Sequence, residues 1–318
     1  MTPTQLRAFG AVVRLGSVKG AAAELQVTEA AVSFHIGQLR KEFDDKLFTR
    51  TASGLAFTPG GLRLASRAAE ILGLQDRTVR EVSQAGHGRR LLRVAVSSLF
   101  AEHAAPGLIE LFASRADDLD VELSVVSPAQ FTSQLQARAV DVAIGPQPKG
   151  PMDPLVCKPF LNYDIVVVAG PEHALAGRTL VPGQLRDQNW LLGPSAIGVE
   201  EAVSAMLRKI GVPESRQRIF QSDSAALEET KRTNGIALAL RFAVAGDLAS
   251  GRLVSVDGPG MNARGIWVAI ALPGHSQLPA TAELLRFVTT PRATQAMVRG
   301  AGVTIGRFRP SVHVTLWS

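Results

Sequence analysis

Two short helical segments near the N-terminus constrain the fold of this chain more than any other feature of its sequence. Ser17 and Thr28 have hydroxyl side chains that cap helices, and they predict helices over residues 18–25 and 29–40. A preceding helix is predicted within residues 1–15, where apolar residues recur at helical spacing. Two short helices joined by a tight turn are typical of a helix-turn-helix.

A predicted β-hairpin and a long helix follow these segments. Residues 47–50 and 54–58 predict two short strands, which would form a wing beside the third helix. Residues 59–86 favour one uninterrupted helix, about 42 Å long at a rise of about 1.5 Å per residue. Such a helix exposes an apolar stripe that a second copy can bury, so we expect it to dimerise; packing onto its own domain is the alternative. Residues 86–90 predict a hinge.

Positive charge is concentrated in the same part of the chain. The whole sequence has 34 basic and 28 acidic residues, a formal net charge of +6. Residues 1–90 hold 13 of the basic and 8 of the acidic residues, a net charge of +5, which leaves +1 for residues 91–318. A basic module joined to a nearly neutral body predicts a polyanionic partner.

Composition restricts the remaining classes. A chain of 318 residues with 46% hydrophobic residues predicts a globular protein of two or three domains. Cys157 is the one cysteine, which excludes an intrachain disulfide and a multi-cysteine metal site. We find no secretory signal and no apolar run long enough for a membrane span, so we expect a cytoplasmic protein without a membrane partner.

The sequence gives no support to an enzyme. The histidines show no paired metal-ligand spacing, and no phosphate-binding loop or dinucleotide-binding glycine motif is present. Residues 193–198 have one residue too many for a nucleophile elbow. We therefore expect no catalytic residues, no metal site and no cofactor.

A set of N-terminal residues matches a known pattern in register over about sixty positions. The matching residues are Leu6, Phe9, Val13, Gly16, Ser17, Ala21, Ala22, Leu25, Ala31, Val32, Ser33, Ile36, Leu39, Leu47, Phe48, Arg50, Thr58, Pro59 and Gly61. In these residues the chain resembles the LysR-type transcriptional regulators. The resemblance implies double-stranded operator DNA as a partner, homodimers that assemble into homotetramers, and RNA polymerase as a further contact.

The third predicted helix would lie in the major groove, where base pairs differ in their hydrogen-bonding pattern. The candidate DNA-binding residues are Thr28, Ala30, Ser33, Phe34, His35 and Gln38, with Arg50, Lys19, Arg7 and Lys46 as phosphate or minor-groove contacts. Phe34 and His35 stand where the family often has arginine, and Arg40 and Asp44 also depart from its pattern. We therefore expect Ala30 and Phe34 to contact thymine methyl groups and Gln38 to pair with adenine. A hydrophobic Phe34 that is capped or covered by a partner is the alternative.

A two-fold dimer would present two such helices about one DNA turn apart, so we expect an interrupted palindrome as operator.

Strands and helices alternate in the rest of the chain. Residues 91–96, 121–126 and 140–145 predict strands separated by helices, which implies a parallel sheet. Apolar runs at 165–169 and 266–272 predict a second α/β lobe and a return to the first. This region resembles the family's effector domain, which is built like the periplasmic solute-binding proteins.

The expected fold is α+β overall, with an N-terminal winged helix-turn-helix, a long linker helix and a two-lobed α/β effector domain. The predicted boundaries are residues 1–58, 59–90 and 91–318, with lobe I at about 91–163 and 268–318 and lobe II at about 164–267.

Ligands of open α/β sheets bind beyond the carboxyl ends of the strands. The candidate effector-binding residues in those loops are Ser97, Ser98, Ser127, Ala129, Gly145, Pro146, Ser195, Ala196 and Asp223. Free N–H groups at helix starts favour an anion, so we expect a small anionic metabolite in the cleft between the lobes. For each serine, a helix cap without a ligand is the alternative.

Two other function classes compete with a regulator. The body alone would suit a small-molecule-binding protein without a DNA role, although the basic head and the missing signal sequence argue against it. An architectural DNA-binding protein would retain the head but no open pocket between the lobes.

Overall fold

The computed structural model describes residues 1–51, 54–85, 89–176, 182–197, 201–256, 258, 262–299 and 312–315. Contacts divide the chain into two compact units, residues 1–87 with 136–139 and residues 88–135 with 140–318, called here the N-terminal and C-terminal units. The predicted wing turn at 52–53, the hinge residues 86–88 and most of the tail at 303–318 lie outside the described residues.

The helices are α1 (Pro3–Leu15), α2 (Val18–Glu24), α3 (Glu29–Phe43), α4 (Pro59–Ala85), α5 (Ser98–His103), α6 (Ala105–Ala113), α7 (Phe131–Gln136), α8 (Pro182–Arg186), α9 (Ala202–Ile210), α10 (Asp223–Thr230), α11 (Ala245–Ala249), α12 (Pro279–Phe287) and α13 (Pro291–Arg299). The strands are β1 (Phe48–Thr51), β2 (Gly54–Phe57), β3 (Arg90–Val96), β4 (Leu119–Val125), β5 (Val142–Pro146), β6 (Val156–Ala169), β7 (Trp190–Leu192), β8 (Gln217–Ile219), β9 (Ile236–Leu240), β10 (Val254–Val256), β11 (Asn262–Ala271) and β12 (Val312–Thr315).

The N-terminal unit is a winged helix-turn-helix. The Ser17 hydroxyl accepts from the Gly20 N–H and the Thr28 hydroxyl from the Ala31 N–H, each at 3.2 Å, so both predicted caps start helices. Helix α3 ends where Asp44 adopts a left-handed φ of 48°. Strands β1 and β2 pair antiparallel as the predicted wing.

The C-terminal unit contains two lobes that share two strands. In lobe I, β3 pairs in parallel with β4 and β5, as predicted, and β12 adds in parallel to β4. In lobe II, β7 pairs in parallel with β8 and β9. Strands β6 and β11 pair antiparallel; β11 also pairs with β5, and β6 with β9 and β10. These two strands therefore belong to both lobes.

The first half of β6 was not predicted as a strand, and Pro159 explains why. Proline lacks the N–H that a sheet ladder needs and is confined to edges and bulges. Here the register shifts between Trp267, opposite Leu161, and Val268, opposite Pro159, which leaves Phe160 as the extra residue of a bulge. Helix α5 and strands β9 and β10 were also missed, since short apolar segments give no clear period.

A buried ion pair joins β3 to the start of β5. The Asp141 carboxylate accepts from the Arg93 main-chain N–H at 2.9 Å and from the Arg93 guanidinium at 3.0 and 3.3 Å. Both side chains are almost fully buried. Removing one partner of such a pair leaves the other charge buried without compensation.

We expect Asp141→Asn to lower the free energy of unfolding of the C-terminal unit by about 3 kcal/mol, the usual loss for a broken buried pair. The measurement is urea unfolding followed by tryptophan fluorescence, because Trp190 and Trp267 are buried in this unit. The control is Asp118→Asn, which breaks a water-exposed pair with Arg90 and should change stability little. Equal losses in the two variants would contradict the importance of the buried pair.

Candidate functional site

Helix α3 presents one exposed face to a ligand. Thr28, Ala30, Ser33, Phe34 and Gln38 are exposed, and His35 is partly buried at the border of this face. Val32, Ile36 and Leu39, on the opposite side, are buried in the core of the N-terminal unit. Phe34 has 61% of its surface exposed, and covering of this ring by a partner stays the alternative to a base contact. Most side chains of this face are therefore exposed, whereas those of the opposite side are buried.

Arg40 stabilises the wing and does not belong to this face. Its guanidinium donates to the main-chain carbonyls of Lys46 at 2.7 Å and Phe48 at 2.8 Å, and it lies 4.7 Å from the centre of the Phe48 ring. These contacts tie α3 to β1. They give a structural reason for the arginine that departs from the family pattern.

Basic side chains surround the exposed face. Lys19 and Lys46 are exposed, and a concavity of about 510 Å³ between α3 and β1 is lined by Lys46, Arg40 and Ser33 among others. Lys41 was missed by the sequence analysis, although it follows Phe34 by two helical turns and is exposed on the same face. Arg7 forms an ion pair with Asp76 at 3.3 Å, and the Arg50 side chain lies outside the described residues.

Helix α4 exposes a row of large apolar side chains. Ile71, Leu74, Val79 and Val82 are between 41% and 70% exposed. Leu64 and Ala65, on another side of α4, pack against the core of the N-terminal unit. The apolar surface available to a second copy is therefore separate from the side of α4 that faces this core.

In the C-terminal unit, carboxylates from each lobe bind helix N-termini of the other. The two Glu102 carboxylate oxygens accept from the main-chain N–H groups of Asp223, at 2.8 Å, and Ser224, at 2.6 Å. Glu201 accepts from the Ser98 N–H at 3.1 Å. Both acids satisfy N–H groups that a helix leaves free in its first turn, where negative charge is also favourable. The lobes are thus joined at α5, α9 and α10.

Asp223 lies at the centre of this contact. One of its oxygens, Oδ1, accepts from the Ser195 hydroxyl at 3.0 Å, and the other, Oδ2, lies 4.0 Å from His103 Nε2. Residue 193 must be glycine here, because a Cβ atom would stand 2.1 Å from Asp223 Oδ1. The loop before α9 therefore approaches the start of α10 closely enough to fix the Asp223 side chain.

Burial sets the protonation of these groups. It raises the pKa of Glu201 to about 7, and burial together with the charge of Glu102 raises the pKa of Asp223 to about 7. Burial lowers the pKa of His103, so its imidazole is neutral at physiological pH. Among the described residues, no lysine or arginine forms an ion pair with Glu102, Glu201 or Asp223.

An aromatic cluster supports the contact from the shared strands. The Trp267 ring lies 4.9 Å from that of Phe100 in α5 and 4.8 Å from that of Tyr163, measured between centroids. A Cβ atom on Gly265 would stand 2.3 Å from the Tyr163 ring, so a glycine is needed beneath it. Phe100 thereby anchors α5, and with it Glu102 and His103, on β11.

Comparison with family models decides what kind of protein this is. A model described as the LysR substrate binding domain matches residues 85–291, and one described as a bacterial regulatory helix-turn-helix protein of the lysR family matches residues 3–62. The chain belongs to the LysR family of transcriptional regulators. It is therefore a DNA-binding regulator with an effector-binding domain and not an enzyme, as the sequence predicted.

Known proteins agree with this assignment. The chain is 59% identical to an uncharacterized HTH-type transcriptional regulator of Mycobacterium tuberculosis strain H37Rv, over 100% of both chains. Full-length CbnR complexed with its target DNA matches with a TM-score of 0.53 at 19% identity, covering 91% of this chain and 99% of CbnR. LysG of Corynebacterium glutamicum with bound effector Arg matches with a TM-score of 0.53 at 22% identity, covering 95% and 98%. At these identities the two structures show a common fold.

The structure brings some of the predicted effector-binding residues of this LysR-type protein together. Ser98, Ser195 and Asp223 meet at the contact between the lobes, and Ala196 is buried beside Ser195. Ser97 is buried, its hydroxyl has no hydrogen-bond partner among the described residues, and Gly145 lies against it. Pro146 pairs with Trp267 in the sheet, and Ser127 and Ala129 follow β4. Gly198, in the same predicted loop, lies outside the described residues.

Sequence reasoning missed Glu102, His103 and Glu201. The signal available for the first two was the helix-forming segment directly after the first strand of the lobe, which is α5 in the structure. No signal in the sequence pairs residues that lie about a hundred positions apart. The candidate effector-binding residues predicted from the sequence therefore do not include these two acids and the histidine.

Within the described residues, no helix combines the length and the apolar character needed to cross a membrane.

We expect the C-terminal unit to become less stable as the pH rises from 6.5 to 8.5. The folded-state pKa values of Asp223 and Glu201, about 7, exceed those of ordinary carboxyls, so folding favours the protonated forms. Their contribution is complete below the ordinary carboxyl pKa and is lost as the pH rises through 7. His103 acts in the opposite direction and mainly below pH 6.5, its ordinary pKa.

The measurement is the urea midpoint of tryptophan fluorescence at pH 6.5 and 8.5 in the full chain with chelator. Asp223→Asn keeps an acceptor for Ser195 but cannot ionise, so its midpoint should fall less over this range than that of the wild type. Equal changes in the two proteins would show that burial and the charge of Glu102 do not raise the pKa of Asp223.

Proposed function

We propose that this regulator binds an interrupted palindromic operator through two α3 helices and senses a small metabolite where its two lobes meet. The exposed face of α3, with Phe34 at its centre, is the observation that carries the DNA-binding part. We propose that residues 1–58 form the DNA-binding domain, residues 59–90 the linker and residues 91–318 the effector-binding domain. Within the effector-binding domain, lobe I comprises about 91–163 and 268–318, and lobe II comprises about 164–267.

The side chains of the exposed α3 face favour contacts with thymine and adenine over contacts with guanine. The described side chains of this face include no arginine, and arginine makes the commonest specific contact with guanine. Apolar Ala30 and Phe34 suit thymine methyl groups, and the Gln38 amide suits adenine. Lys19 and Lys46, with Lys41 added by the structure, supply phosphate contacts that position the helix without specifying sequence.

The exposed row on α4 supports a dimer. Ile71, Leu74 and Val82 lie within one side of the helix, with Val79 at its border, and leave a large apolar surface in water. A second copy of α4 would bury this row and place two α3 helices for two half-sites. A tetramer and contact with RNA polymerase remain implications of the family resemblance.

The contact between the lobes suggests how an effector acts. The N–H groups of Asp223 and Ser224 stand at a helix start, where an anion is favourable, and the Glu102 carboxylate accepts from both. An anionic metabolite would replace the Glu102 carboxylate there, which would separate α5 from α10. The effector would shift the balance between two lobe arrangements by its difference in affinity for them. That CbnR is complexed with DNA and LysG with an effector supports both partners by analogy.

Selection of bound DNA from a random pool at two salt concentrations tests whether α3 recognises a specific DNA sequence. We expect enrichment of an interrupted palindrome with T and A in its half-sites at both concentrations. Binding without enrichment that falls steeply with salt would mean phosphate contacts alone and would contradict the proposal. That result would favour an architectural DNA-binding protein.

Phe34→Ala should weaken binding to the selected operator about tenfold, a loss of about 1.4 kcal/mol, and relax the preference for T at one position of each half-site. Phe43→Ala is the matched control, since Phe43 is also an exposed phenylalanine of α3 but lies nine residues later, on the opposite side of the helix. Fluorescence anisotropy with operator variants measures both effects. If the two variants bind alike, Phe34 does not read bases.

Leu74→Lys should dissociate the dimer at micromolar concentration, because it places a charge in the centre of the proposed α4 contact. Leu62→Lys is the control, because Leu62 is similarly exposed but lies on the other side of α4. Sedimentation equilibrium gives the mass of each variant. A dimer that survives Leu74→Lys would place the dimer contact elsewhere.

A further inference from the structure

Three metal-ligating side chains converge at the contact between the lobes. A carboxylate oxygen of Glu102, His103 Nε2 and a carboxylate oxygen of Asp223 all lie within 4.8 Å of one another. Glu102 and His103 come from the end of α5 in lobe I, whereas Asp223 is the first residue of α10 in lobe II. The cluster therefore exists only while the two lobes meet.

The cluster lacks a positive partner. Asp223 is only 6% exposed, and its Oδ2 has no hydrogen-bond partner in the described part of the chain. This oxygen points toward His103 Nε2, at 4.0 Å, which is too long for a hydrogen bond. A buried oxygen without a donor is costly, and buried charges in proteins are paired or coordinate metals.

Surrounding charges make the missing partner a cation. Glu201 adds a second buried carboxylate nearby, which also acts on Asp223 electrostatically. Within the described residues, Glu102, Glu201 and Asp223 have hydrogen bonds from N–H and O–H groups but no ion pair with lysine or arginine. A cation compensates these carboxylates when they are ionised, which neither an anion nor a neutral ligand can do.

We propose that Glu102, His103 and Asp223 bind one divalent first-row transition-metal cation, with Zn²⁺ as the representative ion, and that this ion holds the two lobes together. One imidazole and two carboxylates form a ligand set typical of such ions. Ligand atoms about 2.1 Å from a tetrahedral ion stand about 3.4 Å apart. The 4.0 Å between Nε2 and Oδ2 therefore needs to shorten only slightly.

The site rests on the proposed function in one respect, namely that the contact between the lobes is the sensing element. An anionic effector would open this contact by displacing Glu102, whereas the cation would close it. Both would act on the same balance of lobe arrangements, in opposite directions.

The test uses the full chain without an affinity tag, stripped with chelator and equilibrated by dialysis against micromolar ZnCl₂. We expect one zinc per chain by elemental analysis and a rise in the thermal midpoint of tryptophan fluorescence. Asp223→Asn and His103→Gln should each reduce uptake at least tenfold. Asp223→Asn removes a buried negative charge while keeping the Ser195 contact, so its loss of binding would not arise from unfolding.

The matched control is Glu228→Gln, which removes an exposed carboxylate from the same helix and should leave zinc uptake unchanged. No uptake by the wild type, or equal uptake by Asp223→Asn, would overturn the proposal. An equal rise in thermal midpoint with ammonium chloride would also overturn it, in favour of a site for an amine. Binding of the selected operator by the metal-free chain tests DNA binding separately. Failure of the metal site and failure of the proposed function are therefore distinguishable.

Discussion

The pairing of β6 with β11 is the constraint on which the rest of the C-terminal unit depends. Both strands pass through the two lobes, so each lobe completes its sheet with residues that the other also uses. Trp267 of β11 packs against Phe100, which fixes α5 on the shared strands. Helix α5 is thereby held where its first residue, Ser98, donates to Glu201 and its last turn presents Glu102 to the start of α10.

Buried negative charge is the main electrostatic feature of the contact between the lobes. The carboxylates of Glu102 and Glu201 make favourable hydrogen bonds with helix N-termini. Both also place negative charge near the buried carboxyl group of Asp223. An arrangement of this kind responds to small changes in charge, because a buried charge without a partner is costly. A displaced carboxylate, a bound cation or a protonated Asp223 each changes that balance. Such sensitivity suits a domain that reports on a ligand.

Local signals in the sequence were sufficient for the N-terminal unit. Ser17 and Thr28 predicted two helix starts because capping depends on a few neighbouring residues, and exposure of Phe34 followed from helical periodicity. The contact between the lobes could be predicted only in part. The free N–H groups at the start of α10 were expected, whereas their partner Glu102 lies 121 residues away. The first half of β6 was not predicted because it contains Pro159, and the bulge that accommodates this proline depends on the partner strand.

The central claim is that the contact between the lobes controls how the regulator holds its DNA. The most direct test compares the footprint and bend angle of the selected operator bound by the wild type and by the Glu102→Ala, Glu201→Ala double variant. Faster hydrogen exchange at the Ser98 and Ser224 amides would verify that the contact is lost, since those groups donate to the two acids. The account predicts a changed footprint and bend angle. Identical footprints and bend angles, with the exchange accelerated, would contradict it.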